Sequence, residues 1–293
     1  MRFNYVLVTP AKNEDQYIDK TIRAVTSQTV LPIKWVIVSD GSTDRTNMIV
    51  ESYTKRFPFI SLLKRKPGNN RNFGNKVYAI REGLRSLIRS QYDFIGMMDA
   101  DVSFDSFFFE SVLGEMDKNK RIGIAGGVLY ERDSKSWVQR RYSYNWSVAG
   151  AMQMFRRACY EDFGGYMPLP RGGVDMIAEV MARMNGWQVQ TFSHFPIYHY
   201  RMIGTAKGNV LSSHFRRGIF EYANGYHPVF QFFRFFTWIP IYPYFIASIV
   251  RTCGYIYGYL NKEPLSVPKN VARYLRMEQL QRVKADLLKY FTI

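Results

Sequence analysis

Four short apolar runs, each followed by a stretch of helical character, constrain this chain more than any other feature. Phe3–Thr9 is apolar and β-branched, and the segment "AKNEDQYIDKTIRAVTSQ" after it sets Ile18, Ile22 and Val25 at helical spacing. Trp35–Ser39 is the second run, followed by "DGSTDRTNMIVESYTKRF", in which Asp44 is placed to cap a helix. Phe59–Leu63 is the third, Lys76–Ile88 reads as a helix, and Phe94–Met98 is the fourth run. Strands that are apolar throughout, rather than at alternate residues, are buried on both faces. Their alternation with helices therefore predicts an α/β domain with a largely parallel sheet. Ligands of such sheets bind beyond the C-terminal ends of the strands. Asp40 and Asp99 both fall at such ends, so their carboxylates converge on one rim.

The fourth run ends "MMDADVSF". Alternate residues of a strand share a face, so Asp99 and Asp101 would point the same way and repel unless a cation lay between them. The competing reading is a polar strand end followed by a helix cap, a position where Asp and Ser are common. Further on, "IGIAGGVLYER" reads as a strand with a Gly-Gly break, and "GAMQMFRR" leads to the turn "DFGGYMP". Asp175–Asn185 is an expected helix ended by Gly186, and "WQVQTF" and "PIYHYR" are two expected strands.

Composition removes several function classes. Two cysteines, Cys159 and Cys253, make neither a disulfide framework nor a cysteine zinc site, and four histidines show no HExxH spacing. The opening "MRFNYVLVTPAKNE" turns polar too soon for the apolar core of a signal peptide, so a cytoplasmic location is expected. The net charge of +16 is uneven: from Arg201 onward there are 13 Lys and Arg against 4 Asp and Glu. A basic surface points to phosphates. No RRM, KH, zinc-finger or basic-zipper pattern is present, so nucleic acid is not expected. An anionic membrane surface fits better, because the same third carries the apolar, aromatic run.

"VTPAKNEDQYI", "WVIVSDGSTDRT" and "MMDADVSF" follow one another at successive strand ends. Together they resemble the family 2 glycosyltransferases, whose GT-A domain opens with Pro-x-x-Asn-Glu, continues with Val-x-Asp-Gly-Ser-x-Asp and reaches Asp-x-Asp. The resemblance covers residues 1–205. It implies a Rossmann-like nucleotide-sugar domain, a UDP- or GDP-linked donor, Mg2+ or Mn2+, and inversion at the anomeric carbon. Pro10, Asn13, Glu14 and Ala100 then fall among the nucleotide-sugar-binding positions, and Asp40 becomes the contact to the base. A turn-forming role remains open for Asp40, and helix capping for Asn13 and Glu14. By the same resemblance Asp99 lies near the ribose, and Asp101 binds the cation that bridges the phosphates. Hard carboxylate oxygens suit Mg2+ or Mn2+.

"RKPGNNRNFGNKVYAIREGL" resembles the segment in which a Gly-Lys pair opens a helix behind the donor site, here with Asn75 inserted between Gly74 and Lys76. Arg71 and Lys76 are the candidates there for diphosphate or base contacts, with solvated loop charge as the competing reading for both. The family's general base is an Asp at a helix start, preceded by Glu and followed eleven residues later by Gly. Asp175 stands at that interval from Gly186, with Val174 in place of the Glu and Met181 where an Arg is usual. Glu179, a turn further along the same face, is the second candidate for base or acceptor contact. His199 is a candidate third metal ligand and Arg201 a candidate phosphate contact, with simple packing in an aromatic strand as the competing reading for His199.

Residues 206–293 form the expected second region, helical, basic and aromatic. The longest uncharged run, Phe235–Val250, is 16 residues and contains Pro240 and Pro243. A spanning helix needs about 20 apolar residues. Interleaved aromatics and arginines suit the bilayer interface instead, with a packed helical hairpin as the competing reading. The processive-synthase pattern Gln-x-x-Arg-Trp is absent. The sequence thus leads to single-sugar transfer at the inner membrane face, onto a lipid-linked glycan or a cell-surface polysaccharide precursor. Transfer to polyprenyl phosphate and an inactive sugar-nucleotide- or glycan-binding module are the two alternatives.

Overall fold

A computed structural model describes residues 3–66, 74–132, 136–140, 144–201, 209–240 and 242–291. The four apolar runs form β1 (Tyr5–Ala11), β2 (Lys34–Asp40), β3 (Ile60–Arg65) and β4 (Phe94–Met98). Between them lie α1 (Ile18–Thr26), α2 (Thr46–Thr54) and α3 (Gly74–Ser86). These strands pair in parallel, β3 on β2, β2 on β1 and β1 on β4. One set of their side chains, including Tyr5, Leu7, Trp35 and Ile37, packs into one core; Val6, Val8, Val36 and Val38 pack into another on the opposite face. Burial on both faces is why these strands do not alternate in polarity.

The chain continues through β5 (Val102–Phe104), α4 (Phe108–Lys118), β6 (Ile122–Arg132), β7 (Trp137–Gln139), β8 (Met152–Arg156), α5 (Arg157–Asp162), α6 (Val174–Met184) and β9 (Gln188–His199). The sheet order is β3-β2-β1-β4-β8-β6-β9-β5, with β7 on β6. The expectation of a largely parallel sheet is corrected here, because the sheet is mixed. Strand β8 runs antiparallel to both β4 and β6, and β5 antiparallel to β9. A parallel return needs a crossover of a dozen or more residues, usually a helix. The described residues between β6 and β8 hold only the short β7, so the chain comes back the other way.

The Gly-Gly pair does not break β6. A Cβ on Gly127 would lie 1.9 Å from the Phe195 carbonyl, so glycine admits a bulge of β9 at that point. The register jumps there from Gly127↔Phe192 to Val128↔Pro196, which joins the two expected strands into one. Gly186 ends α6 with φ +84°, a conformation open to glycine.

The chain divides into two compact units, Met1–Pro168 with Val174–Ile203, and Leu169–Gly173 with Gly204–Ile293. The second holds α7 (Val210–Ala223), α8 (Pro228–Trp238), α9 (Phe245–Leu260) and α10 (Lys269–Phe291). Helices α7 and α9 cross at backbone contact: a Cβ on Gly218 would lie 2.0 Å from the Arg251 carbonyl, and one on Gly254 2.1 Å from that of Phe215. Beside the crossing, buried Glu221 accepts from Arg251, from Gln231 Nε2 at 3.0 Å and from Arg234 at 3.2 Å. The Arg251 guanidinium lies 3.6 Å from the centre of the Trp238 ring. Burial alone would raise the Glu221 pKa, but Arg234 and Arg251 outweigh it and hold the carboxyl below its ordinary value. Two arginines of the aromatic run are thus committed to an internal carboxylate. Phe232, Phe236, Phe245, Ile249 and Ile256 are exposed. No helix among the described residues is long and apolar enough to cross a membrane.

Candidate active site

The parallel pairing brings the C-terminal ends of β1, β2 and β4 to one rim, and the loops leaving them are tied together. Asn13 adopts φ +55°, and its Oδ1 accepts from the Thr43 N–H at 2.9 Å while its own N–H donates to Ser42 Oγ at 3.1 Å. Asp44 accepts from the Thr46 N–H at 3.0 Å at the start of α2, and from the Asp15 N–H at 3.0 Å. The sequence indicates Asp44 as the helix cap; the N-cap residue of α2 is Arg45, and Asp44, one residue earlier, bonds the first turn and also joins two rim loops.

The turn after β4 is clamped from beneath. Thr21, fully buried on α1, has its hydroxyl 2.8 Å from the carbonyls of both Ala100 and Val102, and accepts from the Val102 N–H at 3.1 Å. Strand β5 then pairs with β9, Val102 opposite His199. As a result Asp99, Asp101 and His199 present ligand atoms within 4.8 Å of one another. His199 Nε2 lies 3.3 Å from Asp101 Oδ1, and its buried Nδ1 has no partner among the described residues. Two carboxylates and an imidazole form a donor set that fits a divalent cation of the Mn2+ or Mg2+ kind.

Cationic groups ring this cluster. Lys76 Nζ, at the start of α3, lies 2.5 Å from Asp99 Oδ1. Arg201 donates to Glu14 Oε2 at 2.7 Å and approaches Asp101 Oδ2 at 3.8 Å. Burial would raise the Asp101 pKa, but His199 and then Arg201 outweigh it and bring it below the ordinary value. Asp99 goes the other way, because burial and neighbouring Asp101 exceed the pull of Lys76. Burial also pushes Glu14 up to about 7 despite Arg201. Such opposed shifts within one cluster are what concentrated functional sites display.

The start of α6 faces the same rim. Asp175 lies against Gly150, where a Cβ would come within 2.3 Å of its Oδ2. Together with Asp99 it raises the Lys76 pKa, although burial works to lower it. One turn on, Glu179 is 2% exposed and accepts from the Val148 N–H at 2.7 Å. Burial pushes its pKa up to about 8.

Residues 6–169 match the family described as Glycosyl transferase family 2, more than half of the chain. The chain belongs to that family. An uncharacterized glycosyltransferase of Mycoplasma pneumoniae is 34% identical over 116 residues, covering 38% of this chain and 36% of the relative. A poly-beta-1,6-N-acetyl-D-glucosamine synthase of Staphylococcus epidermidis is 21% identical over 211 residues, 65% of this chain and 47% of that one. The matched stretch thus spans between about a third and a half of these relatives' length. Among solved structures, a mannosyltransferase of Pyrobaculum calidifontis in complex with GDP-Man and Mn2+ superposes with a TM-score of 0.57, covering 76% of this chain and 63% of that one. At 16% identity that likeness is one of fold, and the fold is GT-A-like.

In this family 2 chain the sequence-derived candidates Asn13, Glu14, Asp40, Lys76, Asp99, Ala100, Asp101, His199 and Arg201 all lie at strand ends, in the loops beyond them, or at the adjoining helix start. Pro10 lies in β1 opposite Val38, past the last pairing with β4. Arg71 lies outside the described residues. Asp40 carries an ion pair that its motif does not suggest, with Arg65 Nη1 at 2.7 Å. Glu179 is buried and Asp175 half-buried, so Asp175 is the more accessible carboxylate of α6. Thr21, Arg65 and Gly150 carry no motif that marks them in the sequence. Thr21 has a weaker signal: a hydroxyl residue within the buried face of Ile18, Ile22 and Val25.

Proposed function

We propose that this chain is an inverting, metal-dependent glycosyltransferase. It moves a sugar from a UDP- or GDP-linked donor to a hydroxyl of a lipid-linked glycan or cell-surface polysaccharide precursor. The observation that carries the reading is the convergence of Asp99, Asp101 and His199 on the strand-end rim, with Lys76 and Asp175 beside them. The polysaccharide class is supported by the similarity to the Staphylococcus epidermidis synthase.

Asp99, Asp101 and His199 would hold the cation, whose chemistry is Lewis-acid stabilisation of charge growing on the leaving diphosphate. Lys76 and Arg201 add fixed positive charge near those oxygens, so less reorganisation is needed as the charge develops. Asp40 accepts from the base of the donor through the carboxylate oxygen that Arg65 leaves open. Asp175 takes the proton of the attacking hydroxyl, which makes that oxygen nucleophilic as it reaches the anomeric carbon. The acceptor is presented at the cytoplasmic face of the membrane, to which the basic second unit with its exposed Phe232, Phe236, Phe245 and Ile249 attaches.

Replacing Asp175 by Asn tests the reading, because the side chain keeps its size but loses the proton acceptor. Sugar transfer should fall by about 10² or more, while donor affinity stays the same. A second reading, transfer to polyprenyl phosphate, is favoured by the same basic and aromatic unit. That acceptor is already an anion and needs no base, so an Asp175→Asn variant with near-normal turnover would select it.

A further inference from the structure

Helix α6 meets one segment of chain at two places a turn apart. At the first, Gly150 is so close to Asp175 that no Cβ fits between them. At the second, Glu179 Oε1 accepts from the Val148 N–H at 2.7 Å and from Gln153 Nε2 at 3.2 Å. The same Gln153 amide nitrogen lies 3.2 Å from the Val148 carbonyl, and the Tyr166 hydroxyl donates to Gln153 Oε1 at 2.5 Å. Gln153 belongs to β8, which pairs with β4 next to the Asp99 turn; the Asp99 N–H itself donates to the Ala151 carbonyl at 2.9 Å. Residues 148–153 are thus held at one end by a buried carboxyl and at the other by the strand that leads into the metal cluster.

We propose that Glu179 is a positioning residue: with Gln153 and Tyr166 it fixes segment 147–150, and through Gly150 it sets where the Asp175 carboxylate points. The inference rests on Asp175 being the base. It assigns Glu179 a task that needs an acceptor oxygen, in keeping with a carboxyl that burial raises to about 8 against the pull of Arg183, whose Nη1 lies 3.8 Å from its Oε2. Two donors reach the same Oε1, so an amide oxygen in that place accepts both. Gly150 acts by what it lacks. A methyl group there meets Oδ2, Cγ and Cβ of Asp175 at 2.3, 2.8 and 2.9 Å, so the carboxylate is driven aside and the first turn of α6 must give with it, while Glu179 keeps its own hydrogen-bond partners.

The test is release of nucleoside diphosphate from GDP-mannose and from UDP-N-acetylglucosamine with Mn2+, in the full chain and four variants, each checked for folding by urea denaturation. Gly150→Ala should lower kcat at least tenfold with donor affinity unchanged. Glu179→Ala should do the same, with some loss of stability. Glu179→Gln should restore kcat to within about threefold of the parent and leave the pH profile of kcat in place, which a merely packed carboxyl or a catalytic one would not do together. Folded Gly150→Ala and Glu179→Ala proteins that keep full kcat, where Asp175→Asn has lost it, would overturn the positioning role alone. A Glu179→Gln protein as inactive as Glu179→Ala would overturn it too, by making the charge of Glu179 the functional property. An Asp175→Asn protein with full turnover would instead remove the base, and this inference with it.

Discussion

Thr21→Val is the sharpest test of how the Asp99–Asp101 turn is held. Valine keeps the shape of threonine and replaces its hydroxyl with a methyl, in a side chain with no exposure to solvent. The Val102 N–H then loses its 3.1 Å acceptor, and whichever of the Ala100 and Val102 carbonyls received the hydroxyl proton at 2.8 Å loses its donor. An unsatisfied buried group costs about 1–3 kcal/mol and an ordinary hydrogen bond about 1 kcal/mol. The expected destabilisation is therefore about 2–4 kcal/mol. Urea denaturation followed by circular dichroism measures it, with the m-value checked to remain constant. Because Asp101 sits between the two clamped residues, Mn2+ affinity should fall in the same variant, by a factor that calorimetry reads directly. A Thr21→Val protein within about 0.5 kcal/mol of the parent and with unchanged Mn2+ affinity would refute the clamp.

Two further outcomes rest on the charges of each unit. Glu179 is raised from an ordinary value of 4.5 to about 8 in the fold. Between those values the folded state holds a proton that the unfolded state has lost, so stability should fall as pH rises from about 4.5 to 8 and level off above. At about 1.4 kcal/mol per pH unit the ceiling on this effect is about 5 kcal/mol. Glu179→Gln should abolish that part of the slope and exceed the parent in stability at pH 8; parallel pH profiles of the two proteins would contradict the assignment. For the second unit, the full chain should co-sediment with phosphatidylglycerol vesicles, less so at high salt, since each basic residue near such a surface contributes about 1 kcal/mol and salt screens it. Replacing exposed Phe232, Phe236 and Ile256 together by Ser should release it; unchanged sedimentation would show that these side chains do not insert.

Strands β1, β2 and β4 were legible because each is buried along nearly its whole length, and β3, an edge strand buried only at Ile60, because its apolar run stands between two helical stretches; Phe94–Met98 is recovered to the residue. The chain beyond β4 was less legible, for physical reasons. Strand β5 is three residues long and exists through its partner β9, and α4 has Phe108, Phe109, Val112, Leu113 and Met116 buried but opens on an aromatic cluster that carries no cap signal. The direction of β8 goes with a return in which the described residues between β6 and β8 hold only the short β7, and no local pattern encodes that. In the site, polar residues such as Asp40, Asp99 and Asp101 announce themselves by ending apolar runs. Arg65 does not, because an arginine closing an edge strand looks like solvated charge until Asp40 is seen opposite it. Gly150 is invisible for a different reason: its role lies in the space that Asp175 occupies. Arginines 234 and 251 show the converse error, since interleaving with aromatics suggested headgroup contacts and the fold pairs both with Glu221.

The most direct test of the central claim is calorimetric titration of GDP-mannose and UDP-N-acetylglucosamine into the parent and into Asp101→Ala, each with Mn2+ and with chelator. The rim formed by Asp99, Asp101 and His199 predicts binding of at least one donor that requires Mn2+ in the parent. It predicts loss of that metal dependence in a variant that still unfolds cooperatively, with some loss of stability from the buried contacts of Asp101 to His199 and Arg201. Donor binding by Asp101→Ala with the parent's full Mn2+ dependence would contradict it.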